Sequence, residues 1–205
     1  IKLFMDRSPG WGKRVVKRFL KYVEIKTKVT STFAFAMALA YLFYQEQRID
    51  WALTLLFFGS MFLFDLATTA INHYIDTKAG QQMLPFTRPV ALRIIIALLA
   101  VSGGLGLYLA LKTDLVVFSL GGLCFLGGVL YTYGPIPISR QPLGELLSGI
   151  FYGLLIPFIL FYINMPEGTY LTYALDQESV TLSFRFGPLA TVLLLSVRSE
   201  ERRVG

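Results

Sequence analysis

The sequence predicts an all-α protein, a polytopic transmembrane bundle with five full spans and a partial sixth. Three observations lead there. Of 205 residues, 55% are hydrophobic and only 16% charged, with a mean hydropathy of +0.59, well above that of a solvated globule. The apolar residues fall in runs near the length a helix needs to cross about 30 Å of hydrocarbon. Lys and Arg fall unevenly between those runs, as expected when one side of a membrane retains the positive charge. One His and one Cys exclude a disulfide framework and a Cys/His zinc cage. The net charge of +6 is not read as a nucleic-acid footprint. Nine of the 19 basic residues precede Val29, where they are placed to meet anionic lipid headgroups, the expected partner of that segment.

Residues 1–28 are predicted to be a basic interfacial segment. At about 100° per residue, Trp11, Val15, Val16, Phe19, Leu20 and Val23 fall on one half of a helix. Lys13, Arg14, Lys17, Arg18, Lys21 and Glu24 fall on the other half. The five spans then run from about Val29 to Tyr44, Trp51 to Ile71, Val90 to Leu111, Leu115 to Tyr133 and Leu143 to Ile163. A shorter apolar run, Pro188 to Val197, precedes a charged tail at 198–205 that is read as foreign to the domain at 29–197.

Charges set the orientation. With the basic N-terminus kept inside, the outer links hold three basic and six acidic residues, and the inner links four basic and two acidic, so the sign reverses across the membrane. A multi-pass cell-membrane protein with a cytoplasmic N-terminus follows. Glycines within the spans, among them Gly103, Gly106, Gly121, Gly127 and Gly128, are expected to let helices approach closely.

Polar groups inside hydrocarbon are expensive and mark function. Asp65, Thr69, Asn72 and Asp76 lie within about 60° of arc on the second span, one stripe toward its inner end. Either it hydrogen-bonds a neighbouring helix or it opens on a ligand. Asp76, with Lys78 and Arg88 following, combines oxygen donors that suit magnesium with cations that suit phosphate, the chemistry of a metal-bound diphosphate.

The stretch Asn72-His73-Tyr74-Ile75-Asp76-Thr77-Lys78-Ala79-Gly80, followed by Arg88-Pro89, resembles the first aspartate-rich motif of the UbiA superfamily of membrane prenyltransferases. The stretch Tyr131-Thr132-Tyr133-Gly134-Pro135-Ile136-Pro137-Ile138-Ser139-Arg140, then Pro142-Leu143-Gly144-Glu145, is similar to the branch acting on 1,4-dihydroxy-2-naphthoate in menaquinone synthesis. The resemblance implies nine spans in the complete fold and magnesium as cofactor. It also implies transfer of an isoprenyl group from a polyprenyl diphosphate to an aromatic acceptor, with the 205 residues an incomplete bundle not expected to act alone. It places Asn72 and Asp76 at the magnesium and diphosphate site, with Arg140 as a catalytic partner. Lys78, Arg88, Tyr131, Tyr133 and Glu145 become substrate-binding candidates. The chain departs from the family pattern: His73 and Gly80 stand where carboxylates are common, and no second Asp-x-x-x-Asp motif follows Ile163. His73 is expected to hydrogen-bond rather than to ligate magnesium, which prefers oxygen. The competing reading is a transporter or non-catalytic membrane protein whose polar stripe binds an ion or proton.

Overall fold

A computed structural model describes residues 11–77, 84–133, 147, 149–165, 171–175 and 180–184. The helices are α1 (Trp11–Tyr22), α2 (Val29–Tyr44), α3 (Trp51–Asp76), α4 (Arg88–Lys112), α5 (Leu115–Tyr133) and α6 (Ile156–Asn164). A 3₁₀ turn, Ile25–Lys28, joins α1 to α2, and a π-helical segment, Ile150–Leu155, leads into α6. Strands β1 (Leu171–Leu175) and β2 (Val180–Phe184) pair antiparallel, Leu171 opposite Phe184 and Leu175 opposite Val180. This strand pair was not expected from the sequence, where residues 164–185 read as a link. The partial span at 188–197 lies outside the described residues.

The termini of the helices have local causes. Asp50 accepts from the Leu53 backbone N–H at 3.0 Å, capping α3. Asp114 does the same for α5, accepting from the N–H groups of Val116 and Val117 at 3.0 Å each. These carboxylates contributed to the acidic side of the charge pattern, and they also cap the helices that begin there. Pro89, within the first turn of α4, offers no N–H where none would be bonded. Helix α2 closes with Glu46 in the left-handed region at φ 54°, its N–H donating to the Phe43 carbonyl while Gln47 donates to Leu42. Glycine would hold that conformation without the strain of about 1–2 kcal/mol that a side chain brings. The π-helical segment precedes Pro157. Proline has no N–H to give the Gly153 carbonyl in α-helical register, so a wider turn accommodates the ring.

Helix α3 is the hub, packing on α4, α5, α6, α2 and α1. With α4 it is longer and more apolar than a bilayer crossing requires; at 1.5 Å per residue its 26 residues reach about 39 Å. Helix α2 is ten residues shorter, so it flanks only part of α3. One core, around Phe35, Leu42, Phe57, Leu109, Ile159, Leu160 and Phe161, fills the bundle at the end away from α1. A second, formed by Tyr22, Val23, Leu66, Ala70, Ile71, Ala91 and Ile95, joins α1 to the part of α3 that α2 leaves uncovered. Leucines on α4 and α5, including Leu107, Leu111, Leu123, Leu126 and Leu130, face outward as lipid-facing residues do.

The apolar half of α1 is therefore not a single lipid-facing surface. Phe19, Tyr22 and Val23 pack on α3 and α4, while Val16 and Leu20 remain exposed beside the exposed Lys13, Lys17 and Lys21. The helix thus has three sectors: one packed on protein, one exposed and apolar, and one exposed and basic. Its end is set by Glu24, which turns left-handed at φ 47°. Tyr22 is fully buried and its phenol has no hydrogen-bond partner; burial, reinforced by Tyr74, pushes its pKa above the ordinary tyrosine value.

Close approach by glycine is specific to a few positions. A Cβ at Gly128 would lie 2.5 Å from Cε1 of Phe64, whose ring is held against Phe125 with centroids 4.7 Å apart. At Gly121 it would meet nothing within 4 Å. Gly128→Ala should therefore destabilise the detergent-solubilised protein by about 1–3 kcal/mol, whereas Gly121→Ala should not. Thermal unfolding of the two variants side by side measures the difference.

Candidate functional site

Asp65 and Thr69 of the stripe on α3 are held by a buried ion pair. Lys28, at the end of the 3₁₀ turn, donates to Oδ1 of Asp65 at 2.8 Å, to the Asp65 carbonyl at 3.0 Å and to Oγ1 of Thr69. All three ammonium protons are thereby used. Asp65 also accepts from Ser31 Oγ at 2.6 Å, through Oδ2, and from the Tyr152 hydroxyl at 3.1 Å, through Oδ1. Lys28 and Asp65 side chains are only 6% and 10% exposed, so the charges survive burial through this complete set of partners.

Lys28 was grouped with the lipid-facing basic residues on sequence grounds; the structure corrects this, since α1 ends at Tyr22 and the chain turns inward before α2. Ser31, Lys28 and Tyr152 were all missed. Counting along the antiparallel pair could have found the lysine: Lys28 lies sixteen residues before the end of α2 and Asp65 fourteen after the start of α3. At equal rise per residue, the two reach similar depth.

From Asp65 to Asn72 the stripe borders a cavity of about 390 Å³, within the range of small-molecule sites, about 300–1,000 Å³. Its polar wall carries Lys28, Ser31, Asp65, Thr69 and Asn72, and its apolar wall Phe57, Phe64, Phe125, Phe151 and Ile159. Four elements bring these together: the start of α2, the length of α3, the middle of α5 and the π-helical segment with α6. The π turn matters here. It aims Tyr152 at Asp65 and Phe151 at α5, where a Cβ on Gly127 would come within 2.8 Å of the Phe151 ring.

The other candidates are placed as follows. Asn72 lines the cavity. Asp76 sits one turn farther along α3, half-buried, and is not in the cavity wall. Arg88 lies exposed at the start of α4, its guanidinium 5.3 Å from the centre of the Tyr74 ring, a cation–π contact at the same end of α3. His73 points away from the cavity: it is buried and donates from Nδ1 to the Tyr22 carbonyl oxygen at 3.2 Å, with Glu24 Oε1 3.8 Å from the same nitrogen. The hydrogen-bonding role expected for it is the one it has. Tyr131 and Tyr133 form the last turn of α5, with side chains outside the described part. Lys78, Arg140 and Glu145 lie outside the described residues.

Among the described residues, no three His, Cys, Asp or Glu side chains gather where they could hold a metal ion. Asn72 and Asp76 supply one amide and one carboxylate oxygen on one helix face. That set fits magnesium only as an ion carried by a diphosphate, where one or two carboxylates suffice and phosphate oxygens and waters complete the shell.

Residues 32–205 match the UbiA prenyltransferase family. The chain belongs to that family. It is also similar to the 1,4-dihydroxy-2-naphthoate octaprenyltransferase of Bacillus subtilis (strain 168), with 28% identity over 166 residues that cover 73% of the chain and 50% of the relative. The chain thus spans about half the length of the curated relative it matches. No solved structure matches the chain significantly. Membership accords with the helical membrane bundle, and the cavity supplies what the motif alone did not. Of the stripe read from the sequence, Asn72 lines the cavity, as do Asp65 and Thr69, both of which are bonded to Lys28.

The ion pair can be tested by itself. Lys28→Met and Asp65→Leu should each destabilise by about 3–5 kcal/mol, because each leaves a buried charge uncompensated. The double variant should lose no more than either single one. Unfolding midpoints in detergent for the full cycle would detect additive losses, which would show that the pair is not coupled.

Proposed function

We propose that the protein is an integral-membrane aromatic prenyltransferase, moving an isoprenyl group from a polyprenyl diphosphate to 1,4-dihydroxy-2-naphthoate or a similar acceptor in menaquinone synthesis. Family membership supports the reaction class, and the similarity to a naphthoate octaprenyltransferase supports the acceptor. The observation that carries the reading is a cavity lined both by the polar residues Lys28, Ser31, Asp65, Thr69 and Asn72 and by the aromatic residues Phe57, Phe64, Phe125 and Phe151.

In this reaction the allylic carbon–oxygen bond breaks and its electron pair leaves with the diphosphate. An electron-rich ring carbon of the acceptor forms the new carbon–carbon bond, and loss of carbon dioxide from a ring carboxylate restores aromaticity. Magnesium, when bound, neutralises the charge developing on the leaving diphosphate. The Asn72 amide and the Asp76 carboxylate are the oxygen donors proposed for its site. Arg88, Lys78 and Arg140 are proposed to hold the diphosphate or the acceptor's carboxylate, with Glu145 orienting Arg140. Phe64, Phe125 and Phe151 keep water from the allylic cation and present faces that stabilise it. Tyr131 and Tyr133 are proposed for the same wall.

The orientation belongs to the proposal: a cell-membrane protein with its N-terminus cytoplasmic, an interfacial segment at 1–28 whose exposed cations meet anionic headgroups, a helical domain at 29–197 and a distinct tail at 198–205. The ion- or proton-translocating alternative finds little support in Asp65. Three donors already hold its carboxylate, so it is a fixed wall rather than a relay.

Asp76→Asn in the complete protein should lower magnesium-dependent prenyl transfer by about 10²–10³-fold while leaving membrane insertion intact. Incubating membranes with labelled prenyl diphosphate and dihydroxynaphthoate, with and without magnesium, measures it. Unchanged turnover would refute the site.

A further inference from the structure

Thr69 is bonded in a way that leaves one of its atoms unused. Its Oγ1 accepts from the Lys28 ammonium, and a hydroxyl that accepts keeps its own hydrogen to give. The usual acceptor for a helical threonine is the carbonyl four residues back, here that of Asp65. That carbonyl already receives Lys28 Nζ and Thr68 Oγ1, at 3.0 Å each. Among the described residues the Thr69 hydroxyl therefore donates to nothing, and Thr69 is half-buried in the cavity wall. The ammonium behind it is a buried one, 6% exposed, so it polarises the Thr69 O–H in surroundings that screen it little. Ser31, Thr68 and Tyr152 also line the cavity, but each donates to Asp65.

An unsatisfied donor backed by a cation suits an oxygen that gains negative charge. Along α3, Asn72 and Asp76 lie about 4.5 Å and about 10.5 Å beyond Thr69 in axial rise. A diphosphate held at those two residues would thus bring the oxygen bonded to its allylic carbon to the level of Thr69. We propose that Thr69 is a catalytic residue, its hydroxyl hydrogen-bonding that bridging oxygen, and that Lys28 is the positioning residue behind it. As the carbon–oxygen bond breaks, its electron pair goes to the oxygen and leaves with the diphosphate. The hydrogen bond strengthens with the growing charge, and the proton stays on Thr69.

This role rests on the proposed prenyl transfer, and its test separates the two. Thr69→Val and Thr69→Ser are compared with the unmodified complete protein in membranes. The donors are farnesyl diphosphate and its thiolo analogue, in which sulfur, a weak hydrogen-bond acceptor, replaces the bridging oxygen. With farnesyl diphosphate, Thr69→Val should lower kcat by about 10²-fold, the loss typical of one such donor. KM for the donor should stay within about threefold, and Thr69→Ser should restore kcat to within about threefold, because the lost interaction belongs to the transition state. With the thiolo donor, Thr69→Val should cost no more than about threefold, since there is little hydrogen bond left to lose. A purely structural role, through the lost partner of Lys28, would lower transfer from both donors equally and would overturn the proposal. So would unchanged kcat, or a rise in KM alone. If Thr69→Val does not accumulate in membranes, Thr69→Cys decides by the same comparison, its thiol being a weak donor of similar size. Failure of the unmodified protein to transfer from farnesyl diphosphate would instead overturn the function proposed above, and this role with it.

Discussion

Burying the Lys28 ammonium against the Asp65 carboxylate is the constraint on which the arrangement of this bundle rests. Two charges removed from water must find every partner inside, and here the partners come from the turn before α2, from α2 itself, from α3 and from the π-helical segment. Because the demand is met only when all four are in place, it sets the depth of α2 against α3 and the rotation of the fifth apolar run about its axis. Hydrocarbon packing alone does not specify either: lipid tails are as apolar as leucine, so a helix gains little by choosing one depth over another. The same pair forms part of the cavity wall.

The second constraint is steric. Gly128 and Gly127 on α5 admit the rings of Phe64 and Phe151, which closes α5 against α3 and against the π-helical segment. Gly121, one to two turns earlier on the same helix, admits nothing. Glycine thus does opposite things along α5, contact in its C-terminal half and open space in its N-terminal half, and only the neighbouring elements decide which. Pro157 adds the widened turn that brings Tyr152 and Phe151 to bear on the chamber together.

Much of the bundle was legible in advance. The bounds of α2 and α5 agree with the apolar runs, and those of α3 and α4 extend a few residues beyond them, because the terminal turns Asn72–Asp76 and Arg88–Pro89 are polar yet still helical. The stripe on α3 was legible from helical periodicity, as was the hydrogen-bonding character of His73. The fate of Asp65 and Thr69 was not, since periodicity states which face a residue occupies and not what that face meets. Lys28 was misplaced because, within a basic segment, one lysine that turns inward carries the same local signal as the exposed Lys13, Lys17, Lys21 and Lys26. The strand pair Leu171–Leu175 and Val180–Phe184 was hidden for a related reason: in a chain this apolar, two short strands look like a link between spans.

By itself, then, the sequence determined the helical membrane-protein class of this chain, the position of the apolar helices α2 to α5, and which helix carries the polar stripe. Those follow from hydrophobicity and backbone geometry, which act locally and in register with residue number. The tertiary structure decided which of those polar groups are consumed in holding helices together and which, such as Asn72, still face a cavity. That division depends on pairings between residues dozens of positions apart, where the energy of burial is settled by what stands opposite.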